Sequence, residues 1–314
     1  MTDKKIIAVV GATGQQGGGL ARAILDDPTG QFAVRAITRR PDSAAAHALA
    51  DRGAEVVAGD LDDAASLTAA LQGAYGAYFV TSFWEYNSVE REHAQARAMA
   101  KAAKSAGLQH VVWSTLPDTR EHIAPADDRV PTLHGNYKVP HFDSKAEAES
   151  FFTEAGVPTT FLSTTMYFEA FVDSFRPVRD EDGTLAIHVP MRDRVLAGIA
   201  AEDIGRTAFG IFERGTELVG QQINISGENL TGDEYAAAFG KELGEPVVYR
   251  PMSVDDMRAL PFPGADDIAN MFFYYAEYAD AFAGARDPEA VRKLNPRLQN
   301  FATWLAAHHD AFTG

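Results

Sequence analysis

Short, mostly apolar runs rich in β-branched residues alternate with Ala-rich stretches through the first third of the chain. The runs cover residues 6–10, 34–38, 55–58, 77–81 and 111–114. Apolar runs this short, carrying little polar alternation, predict parallel strands buried on both faces. Between them, residues 19–25, 43–50, 63–71 and 88–106 read as helices. The βαβα rhythm predicts an α/β fold, a doubly wound parallel sheet of Rossmann type with right-handed crossovers. Asp62 or Asp63 is placed to cap the helix that Leu67 and Leu71 seat on the sheet.

Between Leu116 and Pro140 the periodicity stops, with Pro117, Pro125, Pro131 and Pro140 among many charges. A loop of this length in a compact domain is expected to be functional or mobile. A helix over 142–155 and a sixth strand over 159–163 follow. Beyond Met166 the elements shorten. Strand-like 219–226 and 246–249 lie among helices over 202–213, 231–243, 254–260, 266–283 and 298–311. The expected division is a Rossmann domain over 1–165, its sheet completed by later segments, and a smaller C-terminal α/β lobe over 166–314. The two would form a cleft.

The first strand runs directly into Gly11, Ala12, Thr13, Gly14, Gln15, Gln16 and Gly17. Gly11 lets the chain leave the strand in a tight turn. Gly14 lets a pyrophosphate approach the backbone N–H groups that open the next helix, and Gly17 allows close helix–strand packing. The strand–turn–helix context makes this a dinucleotide-binding signal. A site for NAD(H) would place an acid at the end of the second strand to accept from the ribose 2′-OH. That position holds Arg39 and Arg40, whose guanidinium groups suit a 2′-phosphate, so NADP(H) is expected over NAD(H). Gly59, Asp60 and Leu61 after the third strand are placed to cover adenine, although Asp60 reads equally well as a turn acid. Thr81, Ser82, Phe83 and Trp84 after the fourth strand are placed to flank the ribose and nicotinamide.

Composition narrows the alternatives. The 314 residues hold 44 acidic and 28 basic side chains, a formal net charge of −16, which argues against direct nucleic-acid binding. The absence of cysteine excludes disulfides, thiolate metal sites and a cysteine nucleophile, and suits the expected cytoplasmic location. The chain runs from Met1 through charged residues into the first strand, so no targeting segment is expected, and no stretch is apolar for long enough to predict a membrane span. His308 and His309 are adjacent and diverge by about 100° on a helix, and no other spacing suggests a metal site. No Gly-x-Ser-x-Gly elbow points to a hydrolase. The aromatic run Met271, Phe272, Phe273, Tyr274 and Tyr275, continuing to Tyr278 and Phe282, reads chiefly as core, with enough apolar faces to line a cleft as well.

The glycine turn, Thr38-Arg39, Gly59-Asp60, the 81–85 segment with Trp84, His141-Phe142-Asp143-Ser144-Lys145 and Met166-Tyr167-Phe168-Glu169 together resemble the NmrA-like family. That family belongs to the atypical short-chain dehydrogenase/reductases. Phe262-Pro263-Gly264-Ala265, Ala269-Asn270-Met271-Phe272 and Leu294-Asn295-Pro296 extend the resemblance over nearly the whole chain, most strongly toward the NADPH-sensor branch. The resemblance implies Arg39 on the 2′-phosphate, Lys145 on the nicotinamide ribose, and Tyr167, Phe168 and Glu169 closing the nicotinamide side. The sensor branch carries a second basic residue shortly after the Arg, where this chain has Pro41-Asp42-Ser43, leaving Arg40 to compensate.

Short-chain reductases use a Ser, a Tyr and a Lys, with the Tyr four residues before the Lys. Here Ser114 and Lys145 stand in their places, but the residue four before Lys145 is His141. Tyr137, four residues earlier still, is separated from it by Pro140 and reads as a surface loop aromatic. Three readings stay open. His141 serves as the acid–base group, since imidazole titrates near neutral pH. Lys145 acts alone, as in isoflavone-reductase-like relatives. Or no chemistry occurs and Lys145 only holds ribose. The vacant role favours the last, an NADP(H)-responsive regulator acting on a protein partner, with a homodimer as one expected form. The alternative is an NADPH-dependent reductase of a small carbonyl, quinone or aromatic substrate.

Overall fold

The structure is a computed structural model that describes residues 4–313; the very start of the chain, read above for targeting, lies outside them at residues 1–3. Strands β1 (Lys5–Val10), β2 (Phe32–Thr38), β3 (Glu55–Ala58), β4 (Gly76–Phe79), β5 (His110–Thr115) and β6 (Thr159–Ser163) alternate with helices. These are α1 (Gln15–Leu25), α2 (Ala44–Asp51), α3 (Ala64–Leu71), α4 (Phe83–Tyr86), α5 (Val89–Ala106) and α6 (Pro140–Glu154). With β11 (Gln222–Asn224), the strands form one parallel seven-stranded sheet in the order β11-β6-β5-β4-β1-β2-β3. Strand order reverses at β1, which pairs with both β2 and β4, and a crevice opens at the carboxyl ends of such strands.

Adjacent residues of β1 feed opposite cores. Ile7 and Val9 pack with Leu20, Ile24 and Ile204, while Ala8 and Val10 pack with Leu67, Met99 and Trp113. Burial on both faces explains why the strand shows no polar alternation. Asp63 caps α3, its carboxylate accepting from the N–H groups of Ala65 and Ser66. On the first face α1 crosses α8 (Ala201–Glu213) at Gly19 and Gly205. A Cβ on Gly205 would stand 2.2 Å from the Leu20 nitrogen and 2.5 Å from the Gln16 carbonyl oxygen.

The remaining segments build the second lobe. Between β6 and α8 lie β7 (Met166–Tyr167), α7 (Ala170–Asp173), β8 (Val178–Arg179), β9 (Leu185–Ile187) and β10 (Leu196–Ile199). After β11 come β12 (Glu228–Leu230), α9 (Gly232–Leu243), β13 (Val247–Tyr249), α10 (Val254–Arg258) and α11 (Ala265–Glu277). The chain ends with α12 (Ala279–Gly284), α13 (Pro288–Arg292) and α14 (Phe301–Ala307). Two three-stranded sheets, β12-β10-β7 and β13-β9-β8, surround a core of Phe168, Phe171, Tyr235, Phe239, Phe272, Phe301 and Trp304.

Several expectations need correction. The helix over 266–283 breaks at Tyr278, where φ is −113° and ψ 27°, giving α11 and α12. The helix expected from residue 19 starts at Gln15, so the glycine turn leads straight into it. The strand expected over 219–226 shrinks to β11. The loop after β5 is tied down by several side chains, Lys138, Asn270 and Asp143 among them. Asp143 accepts from the N–H and Oγ1 of Thr119 at 2.8 and 2.7 Å and from the N–H groups of Lys138 and Val139 at 2.9 and 3.0 Å. Tyr137 is buried rather than a surface aromatic: it packs with Phe83 and Val89, and its hydroxyl donates to Glu147 at 2.8 Å.

Candidate functional site

Gly11 takes φ +68°, and its carbonyl accepts from the Gly14 N–H at 2.8 Å, closing the turn between β1 and α1. A Cβ on Gly17 would lie 2.5 Å from the Gly11 oxygen, so only glycine lets the helix seat this close to the turn. Gly14 is the N-cap of α1 and supplies no side-chain cap, whereas Ser43, Asp63 and Ser88 cap α2, α3 and α5. The first-turn N–H groups of α1 are thereby left for an outside acceptor, the arrangement that suits a pyrophosphate.

Beside the turn lies a pocket of about 170 Å3 lined by Gly11, Thr13, Thr38, Arg39, Arg40, Gly59, Asp60, Leu61, Ser82 and Glu85. Asp60 serves its own turn, Oδ1 accepting from the Asp62 N–H at 3.0 Å. Arg39 is engaged by an acid from the opposite wall: its Nη1 and Nη2 donate to Glu85 at 2.5 and 3.2 Å.

α6 brings His141 and Lys145, one turn apart, to the other side of the crevice, and each meets a buried acid. Lys145 Nζ donates to Glu92 Oε1 and Thr81 Oγ1, both at 2.6 Å, and Thr81 Oγ1 donates to the same Glu92 oxygen. Glu92 is 2% exposed. His141 Nδ1 stands 2.7 Å from Asp267 Oδ1, and the other oxygen of Asp267 accepts from the His141 backbone N–H at 3.1 Å. Among the described residues Nε2 of His141 has no hydrogen-bond partner, and the ring lies 4.7 Å from that of Trp84. The carboxylate at Nδ1 sets the tautomer that leaves Nε2 available.

Ser114 Oγ donates to Gln16 Oε1 at 2.8 Å. The same oxygen accepts from the Tyr78 hydroxyl, and Gln16 Nε2 donates to the Tyr167 hydroxyl. Burial pushes the Tyr167 phenol up to about 12 and the Tyr78 phenol higher still, so both stay protonated. Glu169 caps α8 through the Ala201 N–H at 3.0 and 3.1 Å, and burial raises its carboxyl.

A cleft of about 970 Å3 between the sheet and the second lobe gathers His141, Lys145, Ser114, Gln16, Tyr167 and Glu169, with Asp267, Glu92 and Tyr78 behind them. Gln15, Gln16, Thr81, Ser82, Phe83, Ser114, His141, Lys145, Tyr167 and Glu169 line it from the sheet side. Met257, Phe262, Ile268, Met271 and Tyr275 face them. The aromatic helix α11 is thus both core and wall: Phe272 is fully buried, while Met271 and Tyr275 reach the cleft.

The pattern that defines the NmrA-like family matches residues 3–305. The chain belongs to the NmrA-like family. It is 30% identical over 283 residues to the NmrA-like family domain-containing oxidoreductase FrzB of Cladobotryum sp, covering 86% of this chain and 83% of that protein. It is 27% identical over 310 residues to the (4-alkanoyl-5-oxo-2,5-dihydrofuran-3-yl)methyl phosphate reductase of Streptomyces griseus subsp. griseus, covering 98% and 99% of the two chains. Its fold resembles the crystal structure of NmrA, a negative transcriptional regulator, in complex with NADP. The TM-score is 0.77 at 24% identity, over 96% of this chain and 94% of that one.

Within this NmrA-like chain one expected site residue lies elsewhere. Phe168 is fully buried in the second-lobe core against Phe301 and Trp304, because the backbone alternation that turns Tyr167 and Glu169 to the cleft turns Phe168 away. Ala12 and Gly17 are buried in the turn, where they shape the backbone. Three acids at the site were not singled out from the sequence. Glu92 falls at the apolar spacing of Ala96, Met99 and Ala103, and Asp267 at that of Asn270, Met271 and Tyr274. An acid on the buried face of a helix is a legible signal. Glu85 carries no such mark.

Proposed function

We propose that the chain is an NADP(H)-dependent reductase of a small, uncharged carbonyl or quinone substrate. The observation that carries this reading is the 970 Å3 cleft with His141, backed by Asp267, in its wall beside Lys145. That volume is at the upper end of ligand sites, which run to roughly 1,000 Å3, and accommodates a nicotinamide end and a second molecule together. The uncapped turn of α1 fits a pyrophosphate; Arg39, with Arg40 beside it, would meet the 2′-phosphate on leaving Glu85, and Lys145, whose three N–H groups go to Glu92 and to the carbonyl and hydroxyl of Thr81, would meet the nicotinamide ribose by exchanging one of them. NADPH when bound supplies a hydride. His141 stands where a short-chain reductase carries its tyrosine; its Nε2 gives a proton to the substrate oxygen and recovers one from solvent, while Asp267 holds the ring in place through Nδ1. Ser114, whose single O–H already donates to Gln16 Oε1, shapes the cleft wall beside the substrate.

The substrate class follows from the lining. Lys145 is the only Lys or Arg among the described lining residues and is neutralised by Glu92; Glu169 and Asp173 add negative charge. The S. griseus relative is named for a phosphate ester. The cleft here lacks a guanidinium to grip one.

Purified protein given NADPH and a panel of uncharged quinones and aromatic carbonyls is expected to oxidise NADPH. His141→Ala should lower kcat by about 100-fold and Asp267→Asn by about tenfold, with cofactor affinity kept. Tight NADPH binding with no turnover of any substrate, together with a cofactor-driven change in oligomeric state, would sink the reductase reading and favour the regulator.

A further inference from the structure

We infer that Glu85 is a cofactor-selecting residue that competes with the 2′-phosphate for Arg39, so that the chain accepts NAD(H) as well as NADP(H). The inference rests on the dinucleotide reading above. Arg39 closes the second strand as an NADP(H) site requires, yet its two terminal nitrogens meet both oxygens of Glu85. This fork-to-fork pairing is the one a phosphate would need. The Arg39 guanidinium holds the Glu85 carboxyl below the usual carboxylate range, so the acid is ionised at neutral pH.

Glu85 is also fixed in place. It sits on α4, which Asn87 ends in a left-handed turn at φ 47°. The Tyr86 hydroxyl donates to Glu85 Oε1 at 2.7 Å, and the Tyr86 ring lies 3.4 Å from the guanidinium carbon of Arg91. Arg91 in turn pairs with Asp62 at 2.5 Å. The carboxylate is therefore presented to the pocket by a braced element. A phosphate arriving at Arg39 must displace it and then stand next to it, like charge against like. A ribose bearing a free 2′-OH meets no such conflict, since Glu85 accepts from that hydroxyl while keeping Arg39. Charge in the pocket is balanced: Arg39 and Arg40 face Glu85 and Asp60.

The test is calorimetric titration of wild type and Glu85→Gln with NADP+ and NAD+ separately. The glutamine keeps the size and one acceptor and removes the charge. Wild type is expected to bind the two dinucleotides within about tenfold of each other. Glu85→Gln should tighten NADP+ about tenfold and leave NAD+ unchanged or weaker. Adding Arg39→Gln to Glu85→Gln should abolish the gain, which separates competition for the guanidinium from a general change of pocket charge. A NADP+ to NAD+ affinity ratio that stays put in Glu85→Gln, or a gain that survives the double substitution, overturns the inference while leaving the dinucleotide site intact. Wild-type protein that binds neither dinucleotide overturns both.

Discussion

Four acids along the crevice, three buried and one half-buried, show how differently a carboxylate can be compensated. Glu92 has a lysine, Asp267 a histidine, and Asp143 three backbone N–H groups and a hydroxyl. Glu149 on α6 has only the Thr115 hydroxyl, at 2.6 Å, while Asp118 and Glu121 repel it. Burial pushes its carboxyl from an ordinary 4.5 up to about 7. The folded protein thus holds this proton more tightly than the unfolded chain does. The stabilisation from Glu149 is complete below pH 4.5 and lost as pH rises through 7, a swing of about 3 kcal/mol at most. Glu149→Gln mimics the protonated form and still accepts from Thr115. Urea unfolding at pH 5 and pH 8 should show the variant close to wild type at the lower pH and more stable by about 2 kcal/mol at the higher. Equal gaps at both pH values would mean that Glu149 does not titrate in this range.

At the level of elements, the α1–α8 crossing determines where the phosphate-binding turn stands. Gly205 on α8 lies against the backbone of Gln16, Gly19 and Leu20. Gly205→Ala should destabilise the fold by about 3 kcal/mol and weaken NADPH binding, because α1 is pushed along with its first turn. Gly284, the last residue of α12, has nothing within 4 Å of its missing Cβ, and Gly284→Ala should be neutral or stabilising by about 0.5 kcal/mol in the same urea titration. Such crossings are hidden in a sequence, since a glycine in a helix reads only as a weak position. The parallel sheet was legible because its strands are buried on both faces, and α5 and α9 because their caps and apolar spacing agree. β7, β8, β9, β10 and β12 were not: two to four residues leave no period to read, and they pair with one another across intervening segments in two small sheets of their own. The same holds at the site. The glycine turn, Arg39, His141 and Lys145 carry their chemistry in their own spacing. Glu85 and Asp267 act on partners 46 and 126 residues away, a distance only the fold closes.

Taken over the whole molecule, charge and cleft lining act on the substrate in the same direction. The chain carries −16, and the cleft adds Glu169 and Asp173 against a single lysine that Glu92 already neutralises. Anions are repelled during approach and find no guanidinium on arrival, whereas a flat uncharged ring meets Trp84, Phe262, Met271 and Tyr275. At low ionic strength an uncharged quinone should therefore be reduced with a kcat/KM at least about tenfold above that of its sulfonated analogue. The gap should narrow as salt shortens the screening length toward about 10 Å at 0.1 M, because long-range repulsion fades while the missing guanidinium does not. Asp173 stands exposed at the end of α7, on the cleft wall. Asp173→Lys should recover part of the loss for the sulfonated substrate through KM, with kcat on the uncharged one unchanged, since Asp173 makes no hydrogen bond or ion pair with His141 or Lys145 among the described residues. A sulfonated quinone that matches its parent at low salt would show that the cleft selects by shape alone.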